Sequence, residues 1–168
     1  MALKHYFLLF LISISITACG VYSFTGAKVN AKTKTFQVNY FQNNAILVEP
    51  GLSLDFTNQL TDLLLNQTNL DLVTSNGDLV YEGEIKVYRI SPTTATADNT
   101  AAQNRLTISV NVRFYNTQDE EADFEKNFSF FYDYPGTSQL VGAQKTVAVD
   151  AIFERLTQDI FNASLAQW

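Results

Sequence analysis

Arg105-Leu106-Thr107-Ile108-Ser109-Val110-Asn111-Val112-Arg113-Phe114-Tyr115 is the stretch from which the architecture can be read. Leu106, Ile108, Val110, Val112 and Phe114 take every second position, with Thr107, Ser109, Asn111 and Arg113 between them. Successive strand side chains point to opposite faces, so this is a strand in a sheet with one dry face and one wet face. On its C-terminal side, Asn116 to Glu121 reads as a polar turn. Phe124, Phe128, Phe130, Tyr132 and Tyr134 then line one face of a further strand, which ends at Pro135-Gly136. On its N-terminal side, Leu79 to Ile90 is a strand with Leu79, Tyr81, Gly83, Ile85 and Val87 on one face and Glu82, Glu84 and Lys86 on the other. Pro92 is expected to end that strand. The stretch Thr93 to Gln103 has no periodicity and reads as a mobile loop.

Further upstream, Asn76-Gly77-Asp78 signals a hairpin between a short strand at Leu70 to Thr74 and the strand that starts at Leu79. Ser53 is placed to cap a helix running to about Asn66, with Phe56, Leu60, Leu63 and Leu64 on its apolar stripe. Lys34 to Phe41 is a first strand, with Phe36, Val38 and Tyr40 inward. From about Ser138 a long helix carries Val149, Ile152, Phe153, Leu156, Ile160, Phe161, Ser164 and Leu165 at helical spacing, with Trp168 close to that stripe. The order is strand, helix, four strands, helix. It predicts an α+β fold: a two-layer sandwich with two helices on one face of a mostly antiparallel sheet of four to five strands.

The start of the chain has a different character. Lys4 and His5 precede an apolar run from Tyr6 to Ile16. About 11 residues are too few to span a bilayer, which takes about 20, but they suit the apolar core of a secretory signal. Ile16-Thr17-Ala18-Cys19 follows and resembles a bacterial lipobox, in which small residues precede an acylated cysteine. Cys19 is the only cysteine in the chain. The expected organisation is therefore a signal peptide over 1–18, a lipidated tether over 19–33 and a single domain over 34–168. No acidic residue follows Cys19 closely; by its resemblance to bacterial lipoproteins, whose inner-membrane retention signals often place Asp there, this implies the periplasmic face of the outer membrane.

Composition excludes several functions. The net charge is −6, and Lys4 is the one charged residue before Cys19, so the rest carries −7. That argues against a nucleic-acid partner. His5 is the only histidine and would leave with the signal. The mature chain then lacks the residues for Ser-His-Asp or Cys-His catalysis and for His/Cys metal sites. Glu82 and Glu84 read as a solvated sheet face, and Asp119-Glu120-Glu121 as a hydrated turn. A calcium loop over Asp119 to Asp123 is disfavoured because Ala122 breaks the ligand spacing. The chain reads as a non-enzyme with no cofactor.

From Cys19 onward the chain resembles the LptE family of lipopolysaccharide-assembly outer-membrane lipoproteins, in its Bacteroidetes-type branch. The likeness runs through CGVYSFTGA (19–27), NYF (39–41), LNQTNLDLVTSNGDLVYEGEI (65–85), NRLTISVNVRFYNTQDEE (104–121), FEKNFSFFYDY (124–134) and DIFNASLAQW (159–168). It implies two helices against a sheet. It also implies a partner role: a plug in the lumen of the LptD β-barrel translocon that helps the barrel assemble and helps deliver lipopolysaccharide. An anionic lipid calls for cations, and Lys86, Arg89, Arg105 and Arg113 are the candidates around the sheet. Their simpler role is to keep the sheet soluble and its edges unpaired. Two other functions fit the same residues. One is an accessory lipoprotein of a different outer-membrane assembly machine. The other is a lipid carrier with the aromatic face of 124–134 as an open pocket.

Overall fold

The computed structural model of the protein describes residues 30, 32–47, 49–95, 101–136 and 138–166. The signal segment, Cys19, most of the tether and Trp168 lie outside the described residues, as does the middle of the 93–103 stretch. The chain forms β1 (Thr35–Val38), β2 (Gln42–Asn43), α1 (Leu52–Gln67), β3 (Asp71–Leu72), β4 (Leu79–Ala95), β5 (Ala101–Asn116), a 3-10 turn (Glu120–Ala122), β6 (Phe124–Pro135) and α2 (Gly142–Leu165). The sheet has six strands in the order β3-β1-β4-β5-β6, with β2 continuing the β1 side of β4. The two helices pack on one face, as the alternation predicts.

The long strands behave as their sequences require. β4 and β5 pair antiparallel from Leu79↔Asn116 to Ala95↔Ala101, and β5 pairs with β6 from Gln103↔Pro135 to Phe114↔Phe124. Leu106, Ile108, Val110, Val112 and Phe114 are all fully buried. The two helical stripes meet them. Phe56, Leu60 and Leu64 of α1 and Ile152, Phe153, Leu156 and Ile160 of α2 have no exposed surface. Phe56 bridges Phe41 and Phe153, each at 5.1 Å between ring centroids in edge-to-face geometry. Tyr81 is buried under α2, where its hydroxyl meets Ser164 Oγ at 2.9 Å. Burial pushes the Tyr81 phenol well above its usual range.

The N-terminal half departs from expectation in its pairing. The turn at Asn76-Gly77-Asp78 exists, with Asn76 at φ 56°, but the strands it separates are not neighbours. β1 lies between them and is parallel to both: Phe36 is opposite Leu72 on one side and Leu79 on the other. The Asp78 carboxylate explains the insertion. It accepts the backbone N–H groups of Lys34 at 2.8 Å and Thr35 at 3.0 Å and the Thr35 hydroxyl at 3.0 Å. These bonds, the Lys34 N–H foremost, hold its carboxyl below the usual carboxylate range. Thus a residue read as turn chemistry clamps the start of a distant strand.

Other boundaries move for local reasons. The first strand ends at Val38 and the alternation does not carry through to β2: Phe41 is buried and Tyr40, expected inward, is 57% exposed. Ser53 does not cap α1. Gly51, at φ 84°, precedes the helix, which starts at Leu52 and leaves Ser53 buried in its first turn. A left-handed residue at that point favours glycine over serine. A bulge between Ile85 and Val87 reverses the face assignment of β4, so Tyr88 is buried in place of Val87. Pro92 does not end β4. Past Ile85, among the described residues, β5 alone borders the strand, and a proline is tolerated on such an edge. Thr93–Ala95 and Ala101–Gln103 therefore extend the ribbon into the predicted loop. α2 begins at Gly142, later than the expected Ser138. Gly83 cannot carry a side chain: an added Cβ would lie 2.0 Å from the Asn111 carbonyl oxygen and 2.8 Å from the Phe41 ring.

Candidate functional site

Among the described residues the sheet face opposite the helices is uncovered, and the candidate cations of β4 and β5 stand on it or at its margin. Arg105 and Asp133 occupy paired positions on β5 and β6. They form a forked ion pair, Nε–Oδ1 2.7 Å and Nη2–Oδ2 2.8 Å. The Arg105 guanidinium also lies 3.6 Å from the centre of the Phe131 ring. Arg113 meets Glu82 across β4 and β5 at 2.8 Å, and Asn39 donates to the other Glu82 oxygen at 3.2 Å. Lys86 pairs with Glu84 at 3.1 Å, and Asn44 also donates to Glu84.

The carboxylates register these partners. The Arg105 guanidinium holds Asp133 below the usual carboxylate range, and Arg113 does the same for Glu82. Glu84 is lowered by its bond from Asn44 first and by Lys86 next. All three are stabilised in the charged form, as ladder partners and not as proton carriers. Glu82 and Glu84 are therefore poor candidates for acid–base chemistry.

The four cations do not gather at one site; they share depressions in pairs at most. Arg89 and Arg105 line one shallow depression with Ser91, Thr107, Phe131 and Asp133. Arg113 lies elsewhere, beside Asn39, Glu82 and Glu84. Lys86 and Arg89 border a third, apolar groove along β4, closed on its other side by Ile46 and Leu47. Among the described residues Arg89 alone of the four has no carboxylate within ion-pair distance.

The aromatic face of β6 is core. Phe128 and Tyr134 are buried, while Phe124, Phe130 and Tyr132 pack against the cluster beneath α2. That removes the open pocket a lipid carrier would need along this stripe. At the 116–121 turn, Asp123 accepts the Asn116 N–H at 2.7 Å. Among the described residues no group of three or more His, Cys, Asp or Glu side chains is placed to hold a metal ion. The sequence reading missed the groove at Ile46 and Leu47. Its signal was the unexplained apolar run Ala45 to Val48 inside a segment read only as a loop.

No match was found among curated protein sequences. Solved structures share the fold. A hypothetical protein from Chlamydia trachomatis superposes with a TM-score of 0.56 at 9% identity, covering 80% of this chain and 99% of that one. The solution structure of lipoprotein B from Nitrosomonas europaea gives 0.50 at 10% identity, covering 80% and 81%. The rare lipoprotein B from Shewanella oneidensis gives 0.48 at 16% identity, covering 76% and 89%. At these identities the first two likenesses concern fold alone. The family assignment comes from the sequence: the model of the lipopolysaccharide-assembly family LptE matches residues 33–164, which takes in every strand and nearly all of both helices. The chain belongs to the LptE family of non-catalytic lipoproteins, and that membership implies a role in lipopolysaccharide assembly.

Proposed function

We propose that this protein is the lipoprotein partner of an LptD-type outer-membrane β-barrel, seated as a plug in its lumen and assisting barrel assembly and lipopolysaccharide delivery to the outer leaflet. The observation that carries this reading is the sheet face left uncovered among the described residues, where Lys86, Arg105 and Arg113 are already paired with Glu84, Asp133 and Glu82. Such a surface is at ease against the wet inner wall of a large barrel, which leaves an aqueous lumen. The signal peptide over 1–18, acylation of Cys19 and the tether over 19–33 belong to the same proposal. Lipid chains on Cys19 would hold the domain at the periplasmic face of the outer membrane. The domain over 34–168 would hang from the end where Asp78 clamps Lys34 and Thr35.

The same proposal includes lipopolysaccharide contact through Lys86, Arg89, Arg105 and Arg113, against competition from the protein's own carboxylates. Three of the four are neutralised by Glu84, Asp133 and Glu82. An anionic headgroup would have to displace these carboxylates, which leaves Arg89 as the cation best placed to meet one.

The test is an affinity pull-down of the full-length lipoprotein, tagged at its C-terminus, from detergent-solubilised outer membrane. Recovery of a large LptD-type barrel in roughly equal amount is the expected result. Recovery of a different assembly machine, or of no barrel, would overturn the partnership and leave the family and fold in place.

A further inference from the structure

Besides the outer edges of β3 and β6, the sheet has an open edge within its strand order, along β4 between Lys86 and Ser91. β1 and β2 cover that side only as far as Ile85. Beyond it, among the described residues, β4 is bonded to β5 alone, up to Pro92 and on to Ala95. An unpaired strand edge presents a row of free N–H and C=O groups that another chain can use. Here the row is bounded at one end by β2 and at the other by Pro92, which has no N–H. Six residues of strand give a window of about 20 Å, enough to seat one short strand.

The surroundings of this window are unusual for a solvated edge. Ile46 is 105% exposed, Leu47 53% and Ile90 41%. With Lys86, Val87, Tyr88 and Arg89 they line a mainly apolar groove. The β4 bulge places the apolar residues Tyr88 and Ile90 on the helix-side face and Arg89 on the other, beside Arg105.

We propose that this edge is a docking site for an extended polypeptide strand of a partner protein, one that alternates apolar and acidic residues. Its backbone would continue the sheet beside β4. Its apolar side chains would cover Ile46, Leu47 and Ile90, and an acidic side chain would meet Arg89. Charge decides between occupants. A second copy pairing edge to edge would bring Lys86 and Arg89 of one molecule against those of the other, and like charges facing across a strand pair repel. A bilayer could take the apolar side chains but would leave the strand's backbone groups unpaired. This inference deepens the partner reading above and rests on it only in taking the chain to be an assembly partner.

The test uses the full-length lipoprotein in detergent micelles. The probe is a labelled synthetic peptide alternating valine with aspartate, and the control replaces aspartate by lysine. Fluorescence anisotropy should show binding of the aspartate peptide only. Arg89→Glu should weaken it about tenfold, because it turns an attraction into a repulsion. Ile46→Asp should weaken it as well, and a thermal melt checks that both variants stay folded. Hydrogen exchange should slow at Lys86 to Ser91 when the peptide binds, and not along the free edge of β6. Equal binding of both peptides, binding unchanged by Arg89→Glu, or protection only elsewhere would overturn the proposal. So would a dimer without peptide in sedimentation, which would assign the edge to a second copy. Binding to anionic phospholipid vesicles that Ile46→Asp abolishes, with no peptide bound, would assign it to a membrane. If peptide binding fails while the barrel is still captured, this inference falls and the barrel partnership stands. If the peptide binds and no barrel is captured, the reverse holds.

Discussion

The two faces of the sheet are built from the same strands and satisfied in different ways. On the helix side, Phe36, Phe41, Phe56, Tyr81, Phe114 and Phe153 pack with essentially no exposed surface. On the bare side, Arg105 is forked onto Asp133, Arg113 donates one bond to Glu82, and Ser109 bonds Ser129 at 2.7 Å. The first face is held by removing apolar area from water, the second by matching partners across strands that remain wet. A bare face with its charges already paired does not need a ligand. Of the four candidate cations, the exception among the described residues is Arg89, which has no carboxylate partner and lies where β4 outruns β1 and β2.

Hollowing the covered face should have the largest effect. Phe153→Ala should cost about 3–5 kcal/mol, read as a lower urea midpoint, because a fully buried ring is replaced by a cavity between the helices. A loss as small as that of a surface substitution would mean that α2 is not seated on the sheet.

A smaller effect is expected where the two halves of the sheet are clamped. Asp78→Ala removes the acceptor for Lys34 and Thr35 and should cost about 1–2 kcal/mol, the scale of a lost backbone cap. Asp78 is lowered in the folded protein. Its contribution is therefore present above the unfolded carboxylate value, about 3.9, and is lost as pH falls below it. Urea titrations from pH 7 downward should show a steeper acid loss in wild type than in the variant. Parallel curves would remove Asp78 from the clamp.

The smallest effect is expected on the bare face. Replacing both Arg105 and Arg113 by Gln should lower stability slightly at low salt, and raising the salt should close the gap. Exposed ion pairs contribute little and are screened. A large loss that persists in high salt would show that this face is organised by more than its surface ladder.

Most of the elements were legible because period 2 and period 3.6 are written into single segments. β5 and β6 could be read from their own residues, and the buried stripe of α2 from Val149 to Leu165 matched its spacing. The same was true of the polar character of Arg105 and Arg113. Their partners were not legible, because Asp133 and Glu82 are distant in sequence and adjacent only through register. The bulge at Lys86 was silent for a similar reason. An extra residue changes which face follows, yet leaves Val87-Tyr88 an ordinary strand dipeptide.

By itself, the sequence determined the class of fold, the burial of alternate residues and the absence of histidine and free cysteine chemistry from the expected mature domain, since all of these depend on residue type and local spacing. Only the tertiary structure decided that β1 inserts between β3 and β4 against the hairpin signal. It also decided which cation lacks a counterion and where β4 is left without a neighbour. Those outcomes are set by contacts across tens of residues, where Asp78 closing on Lys34 and Thr35 outweighs what the local turn chemistry favours.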